Sequence, residues 1–323
     1  MSILITGVAG FIGNYVAKAL LDRGEEVIGV DNLNSYYDIN LKKSRLNRIN
    51  MYEKFIFLED DIANEGLYKT LSNHEDIDRI VHLAAQAGVR YSLKNPYEYV
   101  NSNLIGHLRI LEFARSLKTL NNLVYASSSS VYGGNKDLPF SIGDRVDKPI
   151  SLYAATKKSD ELMSFAYSHL FGIIQTGLRF FTVYGPWGRP DMALYIFTKA
   201  IQEESEIKIF NHGEMWRDFT YIDDIVKGTL AALDRAPSKN DKVPHRVYNL
   251  GNDRSEKLLY LIDIIEKCIG KKAKRKFEPM QLGDVKETRA NIEESKVDLG
   301  FNPQVNLSNG VPLFVDWYKQ YHK

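Results

Sequence analysis

The first half of the chain alternates short, continuous apolar runs with longer stretches in which apolar residues return every three or four positions. Runs at 3–6, 26–30, 55–58, 79–83, 122–127 and 173–179 read as strands buried on both faces. The stretches 13–22, 65–71, 103–116 and 153–171 carry helical spacing. This alternation predicts a doubly wound α/β fold, with six parallel strands joined by right-handed crossovers. After residue 179 the pattern changes. Gly185-Pro186, Arg189-Pro190 and Asn211-His212-Gly213 break up shorter elements. A helix over 223–235, a strand over 246–250 that rejoins the main sheet and an amphipathic helix over 258–269 remain legible. The expectation is a sheet-bearing domain over 1–181 and a smaller lobe over 182–323, with a returning segment near 220–250.

At 323 residues the chain has room for both parts. A hydrophobic content of 44%, a charged content of 26% and a net charge of +1 are those of an ordinary globular protein. They give no reason to expect nucleic acid or an anionic membrane as partner. Cys268 is the single cysteine, which rules out an intramolecular disulfide and argues against a cysteine metal site. Seven histidines are scattered without metal-ligand spacing, so no metal is expected. His82, in a predicted strand, reads as a hydrogen-bonded core residue. The opening Met1-Ser-Ile-Leu-Ile-Thr6 lacks a charged lead and reads as a buried strand, not an export leader. No apolar stretch approaches the ~20 residues of a membrane helix. A cytoplasmic protein is the expectation.

The chemistry begins at Thr6-Gly7-Val8-Ala9-Gly10-Phe11-Ile12-Gly13, which leaves a predicted strand and opens a predicted helix. Gly7 permits a tight turn, Gly10 lets backbone approach a pyrophosphate, and Gly13 lets the helix pack closely on the sheet. The helix N-terminus then offers amide donors and partial positive charge to phosphate. Asp31 ends the second predicted strand, 18 residues past Gly13. A carboxylate there accepts hydrogen bonds from ribose hydroxyls and repels a 2′-phosphate, which favours NAD over NADP. Around it, Phe11, Ile12, Asn32, Asp61, Ile62 and Asn103 are expected against the cofactor. Leu83-Ala84-Ala85-Gln86, after the fourth strand, would pass beneath it with small side chains.

Tyr153 and Lys157 stand four residues apart and share a helix face. A lysine ammonium beside a tyrosine hydroxyl favours its ionised form and makes it a usable base. Upstream lies Ser127-Ser128-Ser129-Ser130-Val131-Tyr132-Gly133, a hydroxyl-rich end to a predicted buried strand. Together these describe a site that binds a dinucleotide and moves a proton and a hydride.

The combination resembles the extended short-chain dehydrogenase/reductase superfamily along essentially the whole chain. Within it, the sequence is most similar to the nucleotide-sugar epimerases and, among those, to the UDP-glucuronate 4-epimerases. The carrying segments are Asn34-Ser35-Tyr36-Tyr37-Asp38, Ala84-Ala85-Gln86-Ala87-Gly88-Val89-Arg90 and Phe180-Phe181-Thr182-Val183-Tyr184-Gly185-Pro186. Arg189-Pro190-Asp191-Met192-Ala193 and Arg217-Asp218-Phe219-Thr220-Tyr221 add to them. Trp187-Gly188 departs from the polar or charged pair the family leads one to expect, which bears on fine substrate preference.

The resemblance implies NAD as cofactor and a UDP-sugar, UDP-glucuronate, as substrate. Tyr153 would be the base and also touch the cofactor, Lys157 would be its helper and the nicotinamide-ribose ligand, and Ser128 the bridge to the sugar hydroxyl. Ser129, Ser130 and Thr182 would donate to the sugar carboxylate, Arg189 would anchor it, and Arg217 would meet the diphosphate, with Arg90 in reach of phosphate or a loop. The dehydratases of the superfamily resemble one another in a Thr-Asp-Glu triplet. Here that place is Ser128-Ser129-Ser130, with no acid to eliminate water. A UDP-glucuronate decarboxylase, a neutral-sugar 4-epimerase and a silent NAD-binding sensor or scaffold are the remaining alternatives. A homodimer built from two helices per subunit, 103–116 and 153–171, is implied as well.

Overall fold

The computed structural model describes residues 1–281 and 283–323. Through residue 180 the elements are β1 (Ser2–Thr6), α1 (Phe11–Asp22), β2 (Glu26–Asp31), α2 (Ile39–Asn47), β3 (Phe55–Glu59), α3 (Glu65–Leu71), β4 (Ile77–His82), α4 (Pro96–Tyr99), α5 (Gly106–Ser116), β5 (Asn122–Ser128), α6 (Leu152–Phe171) and β6 (Gln175–Phe180). Beyond it come β7 (Thr182–Tyr184), α7 (Ala193–Gln202), β8 (Glu206–Ile209), β9 (Trp216–Tyr221), α8 (Ile222–Asp234), β10 (His245–Leu250), β11 (Ser255–Lys257), α9 (Leu258–Ile269), β12 (Lys274–Phe277), α10 (Glu293–Leu299) and α11 (Leu307–Tyr321).

Seven parallel strands make the central sheet in the order β10-β6-β5-β4-β1-β2-β3. The six expected strands are all present, and the returning strand β10 adds the seventh beside β6, with Arg246 opposite Thr176. The sheet is a doubly wound, Rossmann-like one. Successive side chains of a strand point to opposite faces. Ile3 and Ile5 of β1 therefore join a core with α1 and α8, whereas Leu4 joins a second core with α3 and α5. Covering both faces is what buries every residue of β1, including Ser2 and Thr6.

The strand order reverses between β1 and β4, where connections leave in opposite directions and a crevice opens at the carboxyl ends. Three segments meet there: the glycine turn after β1, residues 83–86 after β4 and the serine run after β5. Helix α6 begins beside it. Its N-cap Ser151 accepts a hydrogen bond from the Ala154 amide (3.1 Å), and Gly172, at φ +67°, ends it.

Where one helix over 103–116 was expected, the chain runs as α4, a π-helical turn (Val100–Ile105) and α5. The periodicity carries no sign of that widened turn. Helices α2, α7, α10 and α11 were also missed. Helix α11 contains Gly310 and Pro312, both poor helix-interior residues. Helix α2 buries Lys42 and Arg45 beside Leu41 and Leu46, so it lacks an apolar stripe.

Two buried histidines lie behind the crevice. His82 Nδ1 meets Thr6 Oγ1 at 2.7 Å, His107 Nε2 meets Ser164 Oγ at 2.9 Å, and the rings are 5.2 Å apart. Burial, helped by the positive charge of Lys157, pushes His107 down to about 3. His107 thus stays neutral in the folded chain while the unfolded chain takes up a proton near pH 6.5. Unfolding then binds a proton at acid pH, and stability falls as pH drops below 6.5. At pH 5 this amounts to about 2 kcal/mol. His107→Gln removes the His107 share of this dependence, while His82 and His245, also pushed down by burial, keep theirs. The stability gap between wild type and variant is expected to be about 2 kcal/mol smaller at pH 5 than at pH 7.5 in urea unfolding. An equal gap at both pH values would mean that His107 is charged in the folded state.

Candidate active site

A single cleft of about 980 Å³ runs along the crevice and is lined by Gly7, Gly10, Phe11, Ile12, Gly13, Asp31, Asn32, Asp61, Ile62 and 83–86 at one end. Gly7 is left-handed (φ +75°), and a Cβ on it would lie 2.8 Å from the Ala84 amide nitrogen. A Cβ on Gly13 would come within 2.1 Å of the Gly7 carbonyl oxygen. The turn is therefore closed at both ends around glycine. Gly10 is the N-cap of α1 without a side-chain cap, so the first-turn amides are left for an anion. That cradle fits a dinucleotide pyrophosphate.

Asp31 ends β2, buried. One carboxylate oxygen accepts from the Ala9 amide (3.1 Å) and the other from the Leu33 amide (2.9 Å). Each oxygen keeps a lone pair for a ribose hydroxyl. Burial pushes the carboxyl up, while Lys42 pulls it down. Asn32 donates to Asp61 (2.8 Å) and ties the two acidic strand ends together. Asn103 is the exception among the residues expected at the cofactor. It sits in the π-helical turn behind the cleft wall, where its amide holds the Gln86 backbone at 2.8 and 3.1 Å and Thr156 Oγ1 at 3.0 Å. It braces the wall instead of lining the cleft.

Tyr153, Lys157 and Ser128 line the same cleft. Tyr153 lies in the first turn of α6, where unpaired amides give a partial positive charge to a developing anion. Lys157 is buried, with two of its three N–H donors spent on Ala126 O (2.9 Å) and Asp160 Oδ2 (3.1 Å). The third remains for Tyr153 or a ribose. Sequence reasoning missed Asp160. Burial pushes its carboxyl up to about 7 against the pull of Lys157, and its Oδ1 has no partner among the described residues. Ser128 ends β5 in extended geometry. It donates to Ser130 Oγ and accepts from the Ser130 amide, both at 3.1 Å. Ser127 turns the other way, onto Glu161 (2.7 Å), which is itself held by Arg179.

Ser129, Ser130, Thr182, Arg189, Arg217 and Arg90 also line the cleft. Arg189 is clamped by Asp191 through Nε (3.0 Å) and Nη2 (2.5 Å), and Asp191 also accepts from the Tyr36 hydroxyl (2.9 Å). Arg217, on β9, donates to two backbone carbonyls and faces Asp284 at 3.7 Å. Its neighbour Asp218 points to the other side of the strand and accepts from the Asn252 and Ala290 amides. Arg90 also reaches Asp284 (3.0 Å) and lies over the Phe210 ring (5.0 Å). One carboxylate thus stands between two arginines from distant segments. No short-range pattern could have revealed it.

Arg45 was also missed. It is fully buried and donates to Ala9 O (3.0 Å), the Tyr37 hydroxyl (2.6 Å), Trp187 O (3.0 and 2.7 Å) and Gly188 O (3.3 Å). The glycine turn and the segment leading to Arg189 hang on one guanidinium. Trp187 is held there at φ +63°, a rare conformation for a bulky residue. Its indole packs against Trp317 and Tyr321 of α11.

A dinucleotide cradle continuous with a Tyr/Lys/Ser centre defines a class. The chain belongs to the NAD dependent epimerase/dehydratase family, whose model matches residues 3–251. Among relatives, it is 48% identical to Protein CapI of Staphylococcus aureus over 335 residues, covering 100% of both chains. It is 47% identical to UDP-glucuronate 4-epimerase 2 of Arabidopsis thaliana over 334 residues, covering 100% of this chain and 77% of that one. Of solved structures, the UDP-glucuronic acid 4-epimerase of Bacillus cereus, in complex with UDP-glucuronic acid and NAD, superposes with a TM-score of 0.92. It is 37% identical, covering 99% of this chain and 100% of that one.

Proposed function

We propose that the chain is an NAD-dependent UDP-glucuronate 4-epimerase that forms UDP-galacturonate. The observation that carries this is one cleft holding the glycine cradle, the Tyr153–Lys157–Ser128 centre and a guanidinium, Arg189, suited to a carboxylate. The segment 1–181 holds the cofactor. The lobe over 182–323 holds the sugar nucleotide, with a stretch near 220–250 shared between them.

The glycine turn and α1 hold the pyrophosphate, Asp31 and Asn32 the adenosine ribose, Asp61 and Ile62 the adenine, and Lys157 the nicotinamide ribose. When bound, NAD would supply the hydride acceptor, and as NADH the hydride donor, for C4 of the sugar. Tyr153 takes the proton of the C4 hydroxyl as that carbon is oxidised and gives it back on reduction. Ser128 bridges the hydroxyl, and Lys157 supports the tyrosine oxygen. The 4-keto sugar turns about its diphosphate, which Arg217 and Arg90 hold once Asp284 yields them. Ser129, Ser130, Thr182 and Arg189 keep the carboxylate in place throughout. This matters because a ketone β to a carboxylate invites loss of CO₂.

Leu111 is core, whereas Leu108, Leu162, Phe165 and Phe171 are exposed on adjoining faces of α5 and α6. An apolar patch of this kind supports a homodimer through four helices. None of the helices is long and apolar enough to cross a membrane among the described residues, and a nucleotide-sugar substrate supports a cytoplasmic setting.

The test is incubation of purified protein with UDP-glucuronate, without added reductant, followed by NMR of the sugar. UDP-galacturonate as main product is expected. A UDP-pentose instead would make the enzyme a decarboxylase. Inversion of UDP-glucose or UDP-N-acetylglucosamine with an inert uronate would remove Arg189 from the carboxylate.

A further inference from the structure

We infer that Asp191, held by Tyr36, is the positioning residue that aims Arg189 and so keeps the uronate carboxylate from being lost as CO₂. The inference rests on the epimerase reading above and concerns how that site suppresses its own side reaction.

A guanidinium has two edges that match a carboxylate: Nε with one terminal nitrogen, and the two terminal nitrogens together. Asp191 occupies the first edge of Arg189 through both its oxygens. Nη1 makes no hydrogen bond among the described residues, so the Nη1–Nη2 edge remains for a second carboxylate. Both residues line the cleft, and among the described residues no other cation pairs with Asp191. A guanidinium carried on a flexible stem cannot by itself fix an orientation. One pinned along its Nε edge can rotate little.

The pin is itself secured from a distant segment. The Tyr36 hydroxyl donates to Asp191 Oδ2, and burial with the nearby carboxylate keeps that hydroxyl protonated and a donor. Gly88 leaves room for it, since a Cβ there would lie 2.8 Å from the hydroxyl oxygen. Pro190 fixes the backbone between Arg189 and Asp191, and a turn from the Met192 amide to Arg189 O closes the loop at 3.3 Å.

Orientation matters at one moment. With C4 a ketone, cleavage of C5–C6 sends its electron pair into the ketone as an enolate and releases CO₂, and C5 then takes a proton. The cleavage is fast only when C5–C6 aligns with the carbonyl π-system. An anchor that holds the carboxylate out of that alignment protects the intermediate, and an anchor free to swing does not. Asp191 also offsets part of the Arg189 charge. Its removal therefore need not weaken uronate binding, and the signature lies in product partition.

The experiment measures UDP-pentose and CO₂ formed per UDP-galacturonate in wild type, Asp191→Asn and Tyr36→Phe, with UDP affinity by calorimetry as the check on folding. Asp191→Asn is expected to raise the pentose share about tenfold while UDP affinity is unchanged. Tyr36→Phe is expected to raise it less. General loosening of the fold would slow both products together and leave the ratio alone. An unchanged ratio in Asp191→Asn with UDP bound normally overturns the inference. If Asp191→Asn fails to bind UDP, the ratio in Tyr36→Phe decides alone. A wild type that leaves UDP-glucuronate untouched overturns the epimerase reading itself, a result distinct from an active wild type with unaltered variants.

Discussion

Replacing Tyr153 by phenylalanine is expected to slow epimerisation by about a thousandfold while NAD stays bound. On the proposed reading the hydroxyl takes the C4 proton, and Ser128 is committed to Ser130 in the resting site. The ring itself is kept, so its edge contact with Tyr99 (centroids 6.0 Å apart) persists. On the proposed reading, cofactor retention depends on the glycine turn, Asp31 and Lys157, none of which the substitution alters. Two measurements decide the matter: NAD released on denaturing the purified variant, and the absorbance of reduced nicotinamide after UDP-glucuronate is added. Full NAD content without any reduction is the expected pair. Normal turnover would remove Tyr153 from the chemistry. Lost NAD would make it a cofactor ligand first.

Gly13→Ala is expected to abolish stoichiometric NAD binding. A Cβ at 2.1 Å from the Gly7 oxygen and 3.3 Å from Val8 Cα overlaps backbone, which cannot rotate away as a side chain would. Either α1 moves off the sheet or the turn opens. Both displace the first-turn amides from the phosphate position, and over-packing of this kind costs about 1–3 kcal/mol in stability. NAD content and a thermal scan together test it. A variant that kept its cofactor at the wild-type melting temperature would show slack in the turn that the geometry denies.

Both positions were legible in the sequence because their chemistry demands fixed local spacing. A phosphate turn needs its glycines within one strand-to-helix transition, and a tyrosine and its lysine need one helical turn. The parallel sheet was legible for a related reason, since strands covered on both faces read as near-continuous apolar runs. What escaped detection depends on distant partners or on broken patterns. Asp284 gains meaning only between Arg90 and Arg217, which the fold alone brings together. Arg45 and Lys42 are buried cations on a helix that reads as polar surface. Asn103 was expected against the cofactor, whereas a π-helical turn invisible to periodicity sets it behind the wall. Arg189 was anticipated as a carboxylate ligand, but its clamp, only two residues away, drew no notice because neighbouring opposite charges are commonplace on surfaces.

The five hydrogen bonds of Arg45 have a bearing on how this enzyme could be re-engineered. Relatives invite exchange of their sugar-recognition segments, and the natural cut would fall near Thr182, where the sheet gives way to the smaller elements. Arg45 lies far upstream of that cut, yet it carries the carbonyls of Trp187 and Gly188 on the same guanidinium as the Ala9 carbonyl of the glycine turn. A grafted segment whose backbone does not meet the three Arg45 N–H groups aimed at Trp187 O and Gly188 O would leave a buried charge short of partners. The transplantable unit is thus discontinuous, and residue 45 and its helix belong with the half of the molecule they precede.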